Sequence, residues 1–305
     1  MARLLNLGSL NIDHTYRVKR LAAAGETVPV FALERHIGGK GLNQSAAYAR
    51  AGGKVFHGGK IGPDGLFLKQ FLQDEGVDTG HVLETGSVTG HAVIQVDEEG
   101  RNGILVYGGA NRELTENEID GMLAAFGPGD ALLLQNEVNL TAYAAKRAKE
   151  RGMLVILNPS PVEDLEVPFA LVDWFLLNEH EAVQLFGSPQ DDFRAELLPR
   201  LTASGLIPVM QKTCPQAKFV LTLGETGAVC FDSQRILYRE AFSVEAADTT
   251  GAGDTFTGYF LQSILAGGSP EEALLLASKA AALAVTRPGA AEAIPRAEEV
   301  RTAFL

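Results

Sequence analysis

The sequence predicts an α/β protein: a doubly wound, mostly parallel sheet covered on both faces by helices, with a small β-sheet lid beside it. Three observations predict this. Short runs that are apolar at nearly every position alternate with helical patterns, as in parallel strands buried on both faces. Several of these runs close on polar residues, at the edge where open parallel sheets bind ligands. Two further stretches have a looser alternation and break the rhythm. With 305 residues and 46% hydrophobic content, the chain can bury one large core or two ordinary ones. No internal repeat or low-complexity linker divides it, so residues 1–305 read as one domain plus the lid.

The predicted strands are the apolar runs 4–8, 54–61, 130–135, 153–157, 174–177 and 219–223. Helical patterns fall between most of them, at 43–51, 66–75, 116–126, 140–151, 179–186 and 193–202, and several stop at a glycine. Two helices, 253–266 and 270–286, close the chain. The irregular stretches are 28–36 and 91–107, with a hairpin turn at Glu98, Glu99 and Gly100. They are expected to form a separate sheet, inserted at about 14–36 and 88–110. Plain antiparallel edge strands are the alternative. Polar residues close several runs: Asn11 and Asp13 after the first, Asn136 and Glu137 after the third, then Asn158, Asn178 and Thr222.

The balance of charge excludes some functions. A formal net charge of −12 repels nucleic-acid phosphates and anionic membranes. A small neutral substrate fits better, and any phosphate site must then be built from backbone N–H groups and one or two cations. Cys214 and Cys230 are the only cysteines; they form no CxxC pair and cannot make a four-cysteine zinc site. Two free thiols suit a reducing cytoplasm. The apolar stretch 4–10 is short and soon meets Asp13, so it reads as a strand and not as a targeting segment. No run approaches transmembrane length, and a soluble, cytoplasmic protein is expected. The six histidines are scattered without metal-ligand spacing.

Four segments carry candidate chemistry. The strongest is Asp248-Thr249-Thr250-Gly251-Ala252-Gly253-Asp254, which runs straight into a helix. Small residues let the backbone approach a ligand. The unpaired N–H groups of a first helical turn, with the helix dipole, favour an anion. A phosphoryl group in transfer spreads charge over its oxygens, so such a cradle stabilises it where charge develops. Asp254 stands beside the cradle, where a carboxylate can take the proton of an attacking hydroxyl. A tight turn with a helix-start charge explains the same residues without chemistry.

The second segment, Gly38-Gly39-Lys40-Gly41-Leu42-Asn43-Gln44, also opens a helix. It lacks Walker spacing, and no GxGxxG dinucleotide fingerprint occurs in the chain. Its paired glycines allow close approach, while Lys40 and Asn43 offer donors to hydroxyls or a phosphate. The third, Asn178-Glu179-His180-Glu181, places an amide and a carboxylate three apart, a pair suited to hydrated Mg2+. An N-cap with acidic first-turn residues is the plain alternative. The fourth, Thr222-Leu223-Gly224-Glu225-Thr226-Gly227, can receive a nucleotide or turn a hairpin.

The NxD pattern near the start, GGKGxNQ, the NExE box, TLGxxG and DTTGAGD occur in the order seen in the PfkB family of carbohydrate kinases. The chain resembles that family over essentially its whole length, and most closely its ribokinase branch. The resemblance implies transfer of the γ-phosphoryl of ATP to a hydroxymethyl group, with D-ribose first and 2-deoxyribose, another sugar or a nucleoside behind it. It implies that Asn11, Asp13, Gly39, Lys40, Asn43 and Glu137 bind sugar hydroxyls, and that Asp254 deprotonates the attacking hydroxyl. Gly251, Ala252 and Gly253 would form the anion hole. Asn178 and Glu181 would organise Mg2+ and phosphate through water, while Thr222, Gly224 and Gly227 line the nucleotide site. Asp248 and Thr250, with segment 287–293, match the site of a potassium-type cation. A lid that clasps a second subunit is also implied, hence a homodimer.

The chain departs from the family pattern at three places. Ala293 stands where a serine commonly contributes to the cation site, so only modest potassium activation is expected. Tyr259 replaces a small residue, and segment 207–217 follows the ribokinase pattern poorly and reads as a variable surface loop. Two other classes remain in view. A non-catalytic sugar- or nucleotide-binding regulator would most simply lack Asp254, which is present. An NAD-linked dehydrogenase would need the missing fingerprint.

Overall fold

Leu4, Leu5 and Leu7 are almost wholly buried because the first strand is covered on both faces and flanked on both edges. The computed structural model describes residues 2–187 and 205–304. In chain order the first half runs β1 (Leu4–Leu7), β2 (Asn11–Val18), β3 (Val30–Gly38), α1 (Lys40–Arg50), β4 (Val55–Ile61), α2 (Leu66–Asp74), β5 (Asp78–Glu84), β6 (Gly90–Val96), β7 (Asn102–Tyr107), α3 (Glu116–Leu123) and β8 (Ala131–Gln135). Then follow α4 (Thr141–Glu150), β9 (Leu154–Asn158), β10 (Trp174–Asn178), α5 (Glu179–Phe186), α6 (Leu206–Thr213), β11 (Lys218–Thr222), β12 (Gly227–Phe231), β13 (Ile236–Glu240), α7 (Ala252–Leu265), α8 (Pro270–Ala284) and α9 (Ala297–Thr302).

Nine strands form the large sheet in the order β13-β12-β11-β10-β9-β8-β1-β4-β5. All neighbours are parallel except the β11–β12 and β12–β13 pairs. Successive residues of β1 face opposite cores: Leu4 joins Leu42, Tyr48 and Phe260 on the α1, α7 and α8 side. Leu5 and Leu7 join Ile119, Ala144 and Phe186 on the side of α3, α4 and α5. This two-sided burial is why the runs read as continuously apolar. Among the described residues no helix is long and apolar enough to cross a membrane.

The two irregular stretches do belong to a separate sheet: they supply β3, β6 and β7, and β2, which lies outside both stretches, completes four strands in the order β3-β2-β6-β7. The turn at residues 97–101 joins β6 to β7 as expected. Three expectations need correction. Asn11 and Asp13 do not close the first strand; they open β2, because the chain turns at residues 8–10 and leaves the large sheet there. The large sheet has three strands beyond the six expected, β5, β12 and β13. Segment 207–217 is no surface loop: most of it forms α6, whose Leu206, Ile207 and Met210 are buried against the sheet. The helix expected at 193–202 lies outside the described residues.

Tyr259 has a definite place. It is buried in α7, and its hydroxyl donates to the Pro295 carbonyl at 2.7 Å. Burial pushes that phenol well above the ordinary tyrosine range. The residue ties the helix behind the site to the segment leading into α9, a packing role that a small residue cannot fill.

Candidate active site

Two helix starts meet at the carboxyl ends of the parallel strands. The first is α1. Gly39 adopts φ 96°, and a Cβ there would come within 2.9 Å of Asn11 N and Ser9 O. Only glycine combines that dihedral with that approach. The turn at Ser9 is thereby held on the helix start, with Leu42 N donating to Ser9 O at 2.9 Å. Gly38 clears space for a neighbouring carboxylate, since a Cβ would lie 2.1 Å from Asp13 Oδ2.

Around this turn the polar residues interlock. The Asn11 Oδ1 atom accepts a bond from Asn111 Nδ2 at 2.7 Å, and Asn111 also holds Leu10 through its backbone N–H and carbonyl. Asn11 is thereby oriented with its amide nitrogen free of that bond. The Glu137 carboxylate accepts from the Lys40 backbone N–H at 3.1 Å and from the Ser9 hydroxyl. Asp13 has its pKa pushed up to about 6, by burial first, then by Glu137 and Glu292, with His36 pulling the other way. At Lys40 burial opposes the charge, but the carboxylates of Asp254, Glu137 and Glu181 outweigh it and raise its pKa. Its ammonium stays charged.

The second helix start is α7. Gly251 adopts φ 72°, and a Cβ would come within 3.0 Å of Ala290 Cα. The first bond of the helix is Thr255 N to Gly251 O, so the N–H groups of Gly253 and Asp254 precede it. The N–H of Ala252 already donates to Thr249 O at 3.3 Å. The open amides therefore centre on Gly253 more than on Ala252. The Asp254 side chain is buried, takes part in no salt bridge among the described residues, and accepts two amide bonds. Asn43 Nδ2 reaches Oδ2 at 3.0 Å and Gln44 Nε2 reaches Oδ1 at 2.8 Å.

A cleft of about 220 Å³ opens at this junction, lined by Lys40, Asn178, Glu181, Thr222, Gly253 and Asp254 among others. A wider cavity of about 730 Å³ adjoins it, lined by Gly224, Gly227, Phe242, Ala252 and Ser278. Thr222, Gly253 and Phe256 border both. The structure thus brings Lys40, Gly251, Gly253, Asp254, Asn178, Glu181 and Thr222 into one cleft and Gly224, Gly227 and Ala252 into the next. Asn11, Asp13, Gly39 and Glu137 lie outside both linings, joined to the cleft through the start of α1. The buried Asn43 Oδ1 has no hydrogen-bond partner among the described residues, an acceptor left open beside Asp254.

Asn178 and Glu181 form a complete capping box, with Glu181 N donating to Asn178 Oδ1 at 2.9 Å and Asn178 N to Glu181 Oε2 at 3.0 Å. The plain alternative therefore holds together with their place in the cleft. The 222–227 segment likewise both turns the β11–β12 hairpin and lines the wider cavity. Asp248 and Thr250 line neither space. The Asp248 Oδ1 atom accepts from the Thr250 N–H at 2.9 Å and its hydroxyl at 2.7 Å, and Oδ2 accepts from Gly289 N at 3.0 Å. These bonds fasten the glycine loop to segment 287–293.

Three polar residues in this region carried no assignment from the sequence: Gln44, Asn111 and Asn158. Gln44 was visible as the last residue of the glycine motif, and Asn158 as a polar strand end. Asn111 had no sequence signal.

Against this geometry, residues 1–297 match the family described as pfkB family carbohydrate kinase. The chain therefore belongs to the pfkB family of carbohydrate kinases and is an ATP-dependent sugar kinase. It is 35% identical over 301 residues to a ribokinase of Haemophilus influenzae, covering 96% of this chain and 95% of that one. Among solved structures, it is similar to a Cryptococcus neoformans ribokinase in complex with ADP, at TM-score 0.87 and 33% identity over 98% of each chain. It is also similar to an Arabidopsis thaliana ribokinase complexed with ribose and ATP, at TM-score 0.85 and 29% identity, covering 99% of this chain and 98% of that one.

Proposed function

We propose that the protein transfers the γ-phosphoryl group of ATP to the hydroxymethyl oxygen of D-ribose. The observation that carries this reading is Asp254: a carboxylate in no ion pair among the described residues, beside open helix-start amides, in a cleft shared with Lys40. The nucleotide would lie in the wider cavity along Gly224 and Gly227, with its γ-phosphoryl reaching the narrower cleft past Thr222. Asn11, Asp13, Gly39, Asn43 and Glu137 would hold the sugar hydroxyls, with Lys40 beside them. Asp254 would accept the proton as the sugar oxygen attacks. The amides near Gly251, Ala252 and Gly253 would meet the charge that develops on the transferring group. Little covalent work is asked of the protein beyond alignment, charge balance and exclusion of water.

Glu181 fits a metal-water shell. One of its oxygens caps Asn178, the other has no partner among the described residues, and the side chain is buried at the cleft. Magnesium would there neutralise charge on the phosphates, with Glu181 and Asn178 orienting its waters. Asp248 and Thr250 would bear on a monovalent cation only through lone pairs their mutual bonds leave over, and no step depends on it. The small sheet would close over the sugar as a lid. Its exposed apolar residues, Phe31, Leu33, Ile104, Leu105 and Val106, suit pairing with a second copy.

ADP release measured across ribose, 2-deoxyribose, fructose and nucleosides tests the substrate. Ribose is expected to give the highest kcat/KM, because a site built to pair a hydroxyl leaves buried partners unpaired when it is missing. A higher value for 2-deoxyribose or a nucleoside overturns ribose as the substrate, and no turnover with any of them overturns the reading.

A further inference from the structure

We propose that Gln44 is a positioning residue for Asp254, set in a relay of buried side-chain amides whose polarity is fixed by backbone carbonyls at both ends. This rests on Asp254 being the base. Gln44 is fully buried, so its hydrogen bonds are made within the protein or not at all. Its Nε2 donates to Asp254 Oδ1 at 2.8 Å and to Asn158 Oδ1 at 2.7 Å, which uses both amide protons. Its Oε1 accepts from Gln135 Nε2 at 2.7 Å. The second proton on Gln135 Nε2 goes to Asn6 Oδ1 at 3.0 Å. Asn6 Nδ2 in turn donates to the Gly41 carbonyl at 2.8 Å and to Ser45 Oγ at 2.9 Å.

Amide oxygen and nitrogen are interchangeable in outline, so their direction has to be inferred from partners. Here two partners leave no choice. The Gly41 carbonyl can only accept, so Asn6 must point its nitrogen there and its oxygen at Gln135. Gln135 must then give its nitrogen to Asn6 and Gln44, and Gln44 must turn its own nitrogen to Asp254. At the other end Asn158 Nδ2 donates to the Leu176 carbonyl at 2.9 Å, which fixes Asn158 Oδ1 as the acceptor facing Gln44. A flip of Gln44 would set its oxygen against two acceptors. With Asn43 on Oδ2, both Asp254 oxygens are held by α1, and the sheet bears on the carboxylate plane through Gln135 and Asn158, which hold Gln44. Gln44 itself lines neither cleft and stands behind the lining residues Asp254 and Asn158, so its part in the reaction runs through Asp254.

A four-protein cycle of wild type, Gln44→Met, Asp254→Asn and Gln44→Met/Asp254→Asn tests this. Gln44→Met keeps the volume and removes the donor. It is expected to lower kcat about 10- to 100-fold, the scale of a misplaced reacting group, with sugar KM changed less than about threefold. On the Asp254→Asn background it is expected to cost less than about twofold more, because its effect is spent through the missing carboxylate. An equal loss on both backgrounds, or no loss of kcat, overturns the role of Gln44. Near-normal turnover of Asp254→Asn alone overturns the base, a separate outcome. Should Gln44→Met not fold, Gln135→Met keeps the question open to measurement. It removes the donor that orients Gln44, and the same kcat-only, Asp254-dependent loss is expected; an Asp254-independent loss overturns the relay.

Discussion

Asp254→Asn is expected to lower kcat about a hundredfold or more while leaving the sugar KM nearly unchanged, the scale on which general bases act. An asparagine fits the same space and keeps an oxygen for one of the two amide donors now on the carboxylate. The fold should therefore survive, since the side chain anchors no ion pair among the described residues. What disappears is an acceptor able to take a proton from the attacking hydroxyl. Steady-state kinetics with saturating ATP separate the two effects. A loss confined to KM would mean that the residue only binds sugar.

The second large effect concerns Asp13. Asp13→Ala is expected to raise the sugar KM at least about a hundredfold, since two hydrogen bonds to a charged acceptor contribute roughly 1.5–3 kcal/mol each. The wild-type enzyme should show a related pH dependence. With the Asp13 pKa pushed up to about 6, by burial and then by Glu137 and Glu292 against His36, the acceptor is ionised above that pH and protonated below it. Sugar affinity should accordingly fall as pH drops through 6, by about tenfold at pH 5. The stability of the sugar-free protein should move the other way. A carboxyl whose folded pKa lies above its unfolded value takes up a proton on folding between the two, so this group favours folding as pH falls from 7 toward the ordinary carboxylate range. Melting temperatures with and without ribose, compared across pH 5–7.5, read both signs. Asp13→Asn should flatten the sugar dependence; an unchanged slope would assign it to another group.

The parts of the fold legible in the sequence are those whose burial is two-sided. Leu4 to Leu7, Ala131 to Leu134 and Phe175 to Leu177 are buried at every position, so no alternative pattern competes. β13 escaped because it lies at the sheet edge, where Ile236 and Tyr238 are exposed and Leu237 faces the core. β5 is the opposite edge strand, and a register shift in its pairing with β4 spaces its buried residues Thr79 and Val82 three apart, so no period of two shows in the sequence. β12 hides behind a glycine and a tight turn that read equally as a nucleotide loop. The helix α6 was obscured by departure from a family pattern, although Leu206, Ile207 and Met210 already sit at helical spacing.

At the site, the two glycine motifs announced themselves because close backbone approach restricts composition locally. The glycine at 251 and the pair at 38 and 39 sit where a Cβ would strike backbone or a carboxylate. The partners of Asp254 were not legible in the same way. Asn43 and Gln44 lie 211 and 210 positions away in sequence, and only the folding of α1 against α7 brings them together. Asn111 is the extreme case. Its amide completes Asn11 across 100 positions, and nothing about an isolated asparagine marks that duty. Local geometry leaves traces in composition; long-range hydrogen bonding does not.

The most direct measurement is a crystal structure of the protein with ribose and ADP–aluminium fluoride, which mimics the phosphoryl group in flight. The planar fluoride is expected within hydrogen-bond distance of the Gly253 N–H. The ribose hydroxymethyl oxygen is expected in line with the aluminium and within hydrogen-bond distance of an Asp254 oxygen. A complex in which that oxygen meets another side chain, with Asp254 turned away from the sugar, would contradict the assignment of Asp254 as the base.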